Sequence, residues 1–294
     1  MFKSATIYRI AGDLSFDTLP AFEPCSASQQ KTSGWVPPRG HANGPLHEFV
    51  AGQYILKLMI ETKAVPAEVI GRKVDEMAAE IESITGRKPG KKQRKQIKDD
   101  ALIYLLPMAF QKRTAVFVWI DPANKLLVID SASKPRCDDV VTALISSIDG
   151  LVLQMVNTHR SPTSSMASWL QEQEGPQHFT IDRECELKAT DESGAVVKYG
   201  SHALDIDEVA AHVAQGKLPT KLAMTWDDRV SFVLTEAMTL KKIEILDVAL
   251  LDDKVTTDDD AFDADVTIST GELSTLIVDL IDALGGEVTL DAAE

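Results

Sequence analysis

The chain has 294 residues, 44% of them hydrophobic and 26% charged, a composition that suits a globular protein of one large domain or two to three smaller ones. No run of about 18 apolar residues occurs, and the opening MFKSATIYRIAGDLSF is too broken by polar residues for a signal peptide, so neither a membrane partner nor export is expected and the cytosol is the default compartment. The formal net charge of −15 argues at first sight against nucleic acid, and three well-separated cysteines, Cys25, Cys137 and Cys185, argue against a disulfide framework.

In chain order, ATIYRI (5–10) predicts a strand. SGWVPPRG (33–40) predicts a loop, because paired prolines remove donors and stiffen the backbone. EFVAGQYILKLMIE (48–61) is strand-like, with β-branched and aromatic residues. Pro66 suits the first turn of a helix, in which Ile70, Val74, Met77, Ile81 and Ile84 recur at helical spacing. That stripe is too short for a coiled coil, and a core-facing helix is expected. Gly86, Pro89 and Gly90 interrupt it, and a second helix is expected from about Lys91 to Leu106, stopping before Pro107.

TAVFVWI (114–120) and LLVID (126–130) predict a hairpin; DDVVTALISSI (138–148) and SPTSSMASWLQ (161–171) predict helices. ECELKAT and AVVKYG, flanking DESG, predict a second hairpin, and IDEVAAHVAQGK (206–217) a helix ending at a glycine. KLAMTW, RVSFVLTE and LKKIEILD (221–247) predict a three-stranded meander, and DADVTIS (263–269) one further strand. A last helix is predicted from Leu273, Leu276, Ile277, Leu280, Ile281 and Leu284, with Ser269 and Glu272 at capping-box spacing and Gly285-Gly286 closing it. Strands and helices mix without a regular βαβ repeat, so the expected class is α+β, mostly antiparallel. The expected organisation is a central α/β region (1–60 and 114–181), a helical lobe (61–113) and an acidic α+β region (182–294).

Charge is segregated. Residues 182–294 hold 9 basic and 26 acidic residues, whereas residues 1–181 hold 21 and 19. Seven of the twelve residues from Arg87 to Lys98 are basic and none is acidic. On a helix, Lys91, Lys92, Arg94, Lys95 and Lys98 fall within an arc of about 160°, a face able to neutralise phosphates whatever the base sequence. The alternative is a solvated helix surface. No aromatic residue is interleaved as in a single-strand stacking platform.

Motifs for nucleotide, serine-hydrolase, zinc-protease and kinase chemistry are all missing, so no cofactor is implied. The six histidines, His41, His47, His159, His178, His202 and His212, show no HxxxH spacing, and no zinc site is expected. DDDAFDAD (258–265) invites a two-metal nuclease reading, but consecutive aspartates diverge, and a solvated loop is expected. In LLPMAFQKR (105–113), Phe110 is either a core residue or an apolar anchor at a subunit contact, beside Lys112 and Arg113. Trp35 has the same two readings.

AFEPC (21–25), GWVPP (34–38), LLPMAF (105–110), VWID (118–121), KLAMTW (221–226), FDADVTISTGEL (262–273) and LIVDLIDALGGE (276–287), taken in order, resemble the bacterial recombination-associated protein RdgC family over about residues 5–287. The resemblance implies a homodimer that closes into a ring around duplex DNA, binds it without sequence preference and limits the recombinase RecA on the nucleoid. It implies no enzymatic activity. A ring with an acidic outside and a basic hole would account for the segregated charge. The DNA-contacting candidates are then Arg87, Lys88, Lys91, Lys92, Arg94, Lys95, Lys98, Lys112, Arg113 and Lys198, with Phe110 at the dimer interface. Single-stranded DNA is a second candidate partner. Two departures from the family are the short GDLSFDTLP segment (12–20) and the weakly basic VKYGSHA (197–203), where only Lys198 is cationic. The alternative function is an acidic interaction module that binds a recombinase directly.

Overall fold

The computed structural model describes residues 1–12, 14, 16, 19–204, 206–246 and 257–288, so GDLSFDTLP is only partly described and Asp247, at the end of the predicted meander, lies outside the described residues. The chain divides into two compact units, one of Met1–Leu19, Pro37–Lys57 and Phe117–Glu294, the other of Pro20–Val36 and Leu58–Val116. The architecture is α+β with a large antiparallel sheet and, among the described residues, six α-helices, as the mixed periodicities predict.

The larger unit is built on β1 (Ser4–Ala11), which is buried on both faces and therefore central. Along one edge β1 pairs with β6 (Leu126–Ile129); along the other it pairs with β12 (Thr239–Ile245) and then β7 (Val152–Met155). From β12 the sheet continues through β11 (Val230–Thr235), β10 (Lys217–Trp226) and β8 (Phe179–Ala189) to β9 (Val196–Tyr199), antiparallel at every step. The predicted meander and both predicted hairpins are therefore present. The first hairpin pairs β6 with the end of β5 (Gln111–Asp121).

One core joins this sheet to α4 (Pro162–Glu172), α5 (Asp207–Ala214) and α6 (Asp258–Ala283). Leu273, Leu276, Ile277, Leu280, Ile281 and Leu284 are all buried in it, with Trp119, Trp226 and Phe232. Helix α3 (Lys134–Ser147) buries Cys137, Val140 and Leu144.

One local expectation is refined and two are corrected. Residues 48–61 are strand, as their composition implies, but divided into a hairpin of β3 (His47–Val50) and β4 (Gln53–Lys63). Its two-residue turn, Ala51-Gly52, has positive φ at both positions, the turn whose twist matches paired strands. Residues 33–35 belong to a strand, β2 (Lys31–Trp35), rather than a loop. DADVTIS is helical: α6 starts at Asp258, capped by Thr257, whose hydroxyl accepts from the Asp260 amide at 3.1 Å. The β-branched residues there suggest a strand, but Val266, Ser269, Thr270 and Leu273 repeat at helical spacing and all are buried.

In the smaller unit β2 runs antiparallel to residues 58–62 of β4. Trp35 is buried there, which settles it as packing. Gly34 has a positional reason, since a Cβ would lie 2.5 Å from the Phe22 Cα. The backbone of residues 20–22 is hydrogen-bonded on both sides of Trp35, so the two segments approach too closely for any side chain. The rest of the unit includes α1 (Ala67–Thr85) packed on α2 (Lys91–Leu105).

Candidate nucleic-acid interface

Pro66 is the N-cap of α1, one residue outside the helix, and Gly86 ends it in the left-handed conformation with its amide bonded to the Glu82 carbonyl. The Ile70–Ile81 stripe is only half-buried and Ile84 is 77% exposed, so this is less of a core helix than its periodicity implies. Pro89 and Gly90 separate α1 from α2, which a 3-10 turn at Leu106–Met108 terminates at Pro107. Ile97 and Ala101 are the buried residues of α2. They fix its rotation, leaving Lys91, Lys92, Arg94, Lys95 and Lys98 exposed, with Arg87 and Lys88 exposed before it.

The start of α2 is electrostatically unusual. Its N-cap, Gly90, offers no side-chain acceptor, and its first turn holds no acidic residue. Cations at an uncapped helix N-terminus oppose the macrodipole, whereas an anion there is favoured by both dipole and amides. The arrangement is suited to an external phosphate. Among the described residues Lys91, Lys92, Lys95, Lys98, Arg87, Lys88 and Lys112 form no ion pair; Arg94 bonds Asp75 of α1 at 3.0 Å. Asp75 and Glu82 share a cavity of about 350 Å³ with Lys88 and Arg94, so part of the positive field is balanced locally. Asp99 ends the cationic stretch within α2.

Phe110 is 94% exposed, which removes the core reading. In the same unit Ile84, Ile103, Tyr104 and Met108 are also exposed. Lys73 lies over the Tyr104 ring at 4.4 Å. Arg113 is not a free cation: its Nε donates to Glu61 at 2.7 Å, and its guanidinium lies over Phe22 at 5.5 Å. Glu61 is buried and also accepts from the Cys25 amide at 2.8 Å. Arg113 first, then that amide, holds the Glu61 carboxyl below the ordinary carboxylate range. Buried Lys63 donates to the Ser26 carbonyl at 2.6 Å. This network anchors the AFEPC segment, and Arg113 is better read as its outer partner than as a phosphate ligand. The sequence signal was available: Glu61 is the one acid in an apolar strand.

Lys198 sits on β9 in the larger unit, paired with Glu186 at 3.1 Å. Glu186 lies opposite Lys198 on β9 and Lys221 on β10, and it also bonds Lys221 and the Thr220 hydroxyl, each at 2.8 Å. Lys221 and Thr220, followed by Lys198, lower its pKa from 4.5 to about 2. A carboxylate depressed in the fold adds stability above its unfolded pKa, and this is lost as pH falls from about 4.5 to about 2. Glu186→Gln is therefore expected to lower the melting temperature at pH 7, with the gap to wild type closing as pH approaches 2. A gap of constant size across that range would contradict the assignment.

The acidic run 258–265 is not a solvated loop but the first two turns of α6, where negative charge suits the macrodipole. Arg39 bonds Asp263 at 2.6 Å and Glu48 at 3.2 Å and lies over the Phe262 ring; His41 bonds Asp259 at 2.9 Å. Sequence separation of over 200 residues hid the contacts to Asp259, Phe262 and Asp263. Among the described residues no helix is long and apolar enough to cross a membrane.

The sequence model of the family described as "Putative exonuclease, RdgC" matches residues 1–287. Relatives named Recombination-associated protein RdgC include those of Janthinobacterium sp. (strain Marseille), 42% identical with 98% of each chain covered, and Herminiimonas arsenicoxydans, 43% identical with 97% of this chain and 98% of the relative covered. A third, from Bordetella pertussis, is 40% identical over 97% of this chain and 98% of its own. Matches of this extent, on a chain whose motifs resemble that family in order, establish that this protein belongs to the recombination-associated RdgC family.

Proposed function

We propose that this protein binds DNA through its backbone without sequence preference, closes as a homodimeric ring around duplex DNA and limits RecA-dependent recombination. The observation that carries the DNA reading is the uncapped, acid-free start of α2, where Lys91, Lys92 and Lys95 form no ion pair among the described residues and stand beside Arg94, inside a chain of net charge −15. Cations held on a helix that buries Ile97 and Ala101 meet phosphates as a fixed array, and acidic surface elsewhere repels DNA from other faces. Duplex DNA is the principal partner, single-stranded DNA a second candidate, and the nucleoid in the cytoplasm is the place of action. Relatives carry the name recombination-associated, which fits this reading.

The test is a duplex titration across salt concentrations. With about five phosphates neutralised per subunit, log affinity against log salt should fall with a slope of roughly −4 to −5 per subunit, and changing the base sequence should matter little. A slope near zero, or no duplex binding, would shift the reading to an acidic module that captures a recombinase directly, detectable by pull-down without DNA. The protein is read as a non-enzyme. Two of the acids in 258–265 that a nuclease reading would draw on, Asp259 and Asp263, are engaged by His41 and Arg39. Linear and circular DNA incubated with magnesium or manganese should remain intact; progressive shortening would overturn this.

A further inference from the structure

The pairing of β8 with β10 places Phe179 opposite Trp226, so the residues just beyond that pair, His178 and Asp227, face one another. The Asp227 amide donates to the His178 carbonyl at 2.9 Å, and His178 Nδ1 lies 3.0 Å from Asp227 Oδ1. Trp226 also reaches across to α6, where its Nε1 donates to Asp279 Oδ2 at 2.8 Å. The result is a cluster in which one donor atom from each of His178, Asp227 and Asp279 lies within 4.8 Å of the others. Asp279 and His178 line a cavity of about 300 Å³ together with Asp282.

A histidine–aspartate pair explains two of these groups. It does not explain why a second carboxylate stands within the same few ångströms. Among the described residues no Lys or Arg forms an ion pair with Asp227, Asp279 or Asp282, and nearby Arg229 is bonded to Glu272. A dipositive ion would cancel the two negative charges. Nitrogen and carboxylate donors bind zinc-class ions at about 2.0–2.2 Å, so donors this close converge on one ion with small side-chain rotations. The Trp226 bond is the outer-shell support that orients a ligating carboxylate, leaving Oδ1 without another partner among the described residues.

We propose that His178, Asp227 and Asp279 bind one divalent transition-metal ion, of the zinc, cobalt or manganese class, with Asp282 beside the open positions. The imidazole favours such ions over magnesium or calcium. The ion ties the start of β8 and the β10–β11 turn to α6.

The test is titration of metal-stripped full-length protein with zinc, cobalt and manganese, followed by calorimetry, with bound metal counted after dialysis. One ion per chain is expected. Cobalt should give weak visible bands without thiolate absorption, since the three cysteines are buried elsewhere. H178Q and D279N should each weaken binding by about 100-fold or more, taking the upper end of known outer-shell effects as a floor. Both sites are at the surface or partly so, and Asn at 279 keeps an acceptor for Trp226, so circular dichroism should show an unchanged fold. No saturable binding by wild type, or wild-type affinity in either variant, overturns the proposal.

Discussion

Replacing Lys91, Lys92, Arg94 and Lys95 together with glutamine is expected to weaken duplex affinity by about 10²- to 10³-fold near 0.1 M salt. The slope of log affinity on log salt should become shallower by roughly 3 per subunit. Each phosphate contact contributes about 0.9 to that slope, and Arg94 contributes less than a full contact because Asp75 already holds it at 3.0 Å. Glutamine keeps helix propensity and removes cations that oppose the dipole of an uncapped helix start, so α2 should not be weakened. Lost affinity with an unchanged helix would therefore report lost phosphate contact rather than unfolding. Fluorescence anisotropy at four salt concentrations, with the oligomeric state checked by sedimentation, makes the measurement. Unchanged affinity and slope would make the cluster a solvated surface, leaving family membership untouched.

On the proposed dimer, with Phe110 as the anchor of its subunit contact, Phe110→Ala is expected to raise the dimer dissociation constant by about 30-fold or more, as the loss of an aromatic anchor worth roughly 2 kcal/mol does. At 94% exposure the ring stabilises little within its own chain, so the melting temperature of the dilute protein should hardly move. Sedimentation equilibrium reads the first quantity and thermal denaturation the second. If both change together, Phe110 is a folding residue; if neither changes, the subunit contact lies elsewhere. A Lys112→Gln control separates the ring from its charged neighbour, because Lys112 is exposed and without an ion pair among the described residues. If the proposed ring forms, the Phe110 variant should also lose salt-resistant retention on closed circular DNA, since a broken contact would open it.

How far local sequence carries can be judged from particular elements. The end of α6 was legible because Leu273 to Leu284 form a stripe that only a helix can bury on one side. Its beginning was not, because Val266, Thr267 and Ile268 carry strand-like side chains. The helix prevails there through burial of Val266, Ser269 and Thr270 and through the Thr257 cap, neither of which a short window reveals. The basic face on α2 was read from spacing, and Pro107 marked its end.

By itself the sequence determined the α+β class, the segregation of charge, the cationic face of α2 and the family, because periodicity, composition and ordered motifs are local or additive properties. Tertiary structure alone decided which charges are free. Arg113 is committed to buried Glu61, Lys198 to Glu186, and Asp259 and Asp263 to the Arg39–His41 segment. It also decided that Phe110 stands in solvent and that His178, Asp227 and Asp279 meet. The physical reason is the same in each case. An ion pair or ligand set depends on distances of a few ångströms between residues from about 10 to over 200 positions apart, and only the pairing of strands and the packing of helices sets those distances.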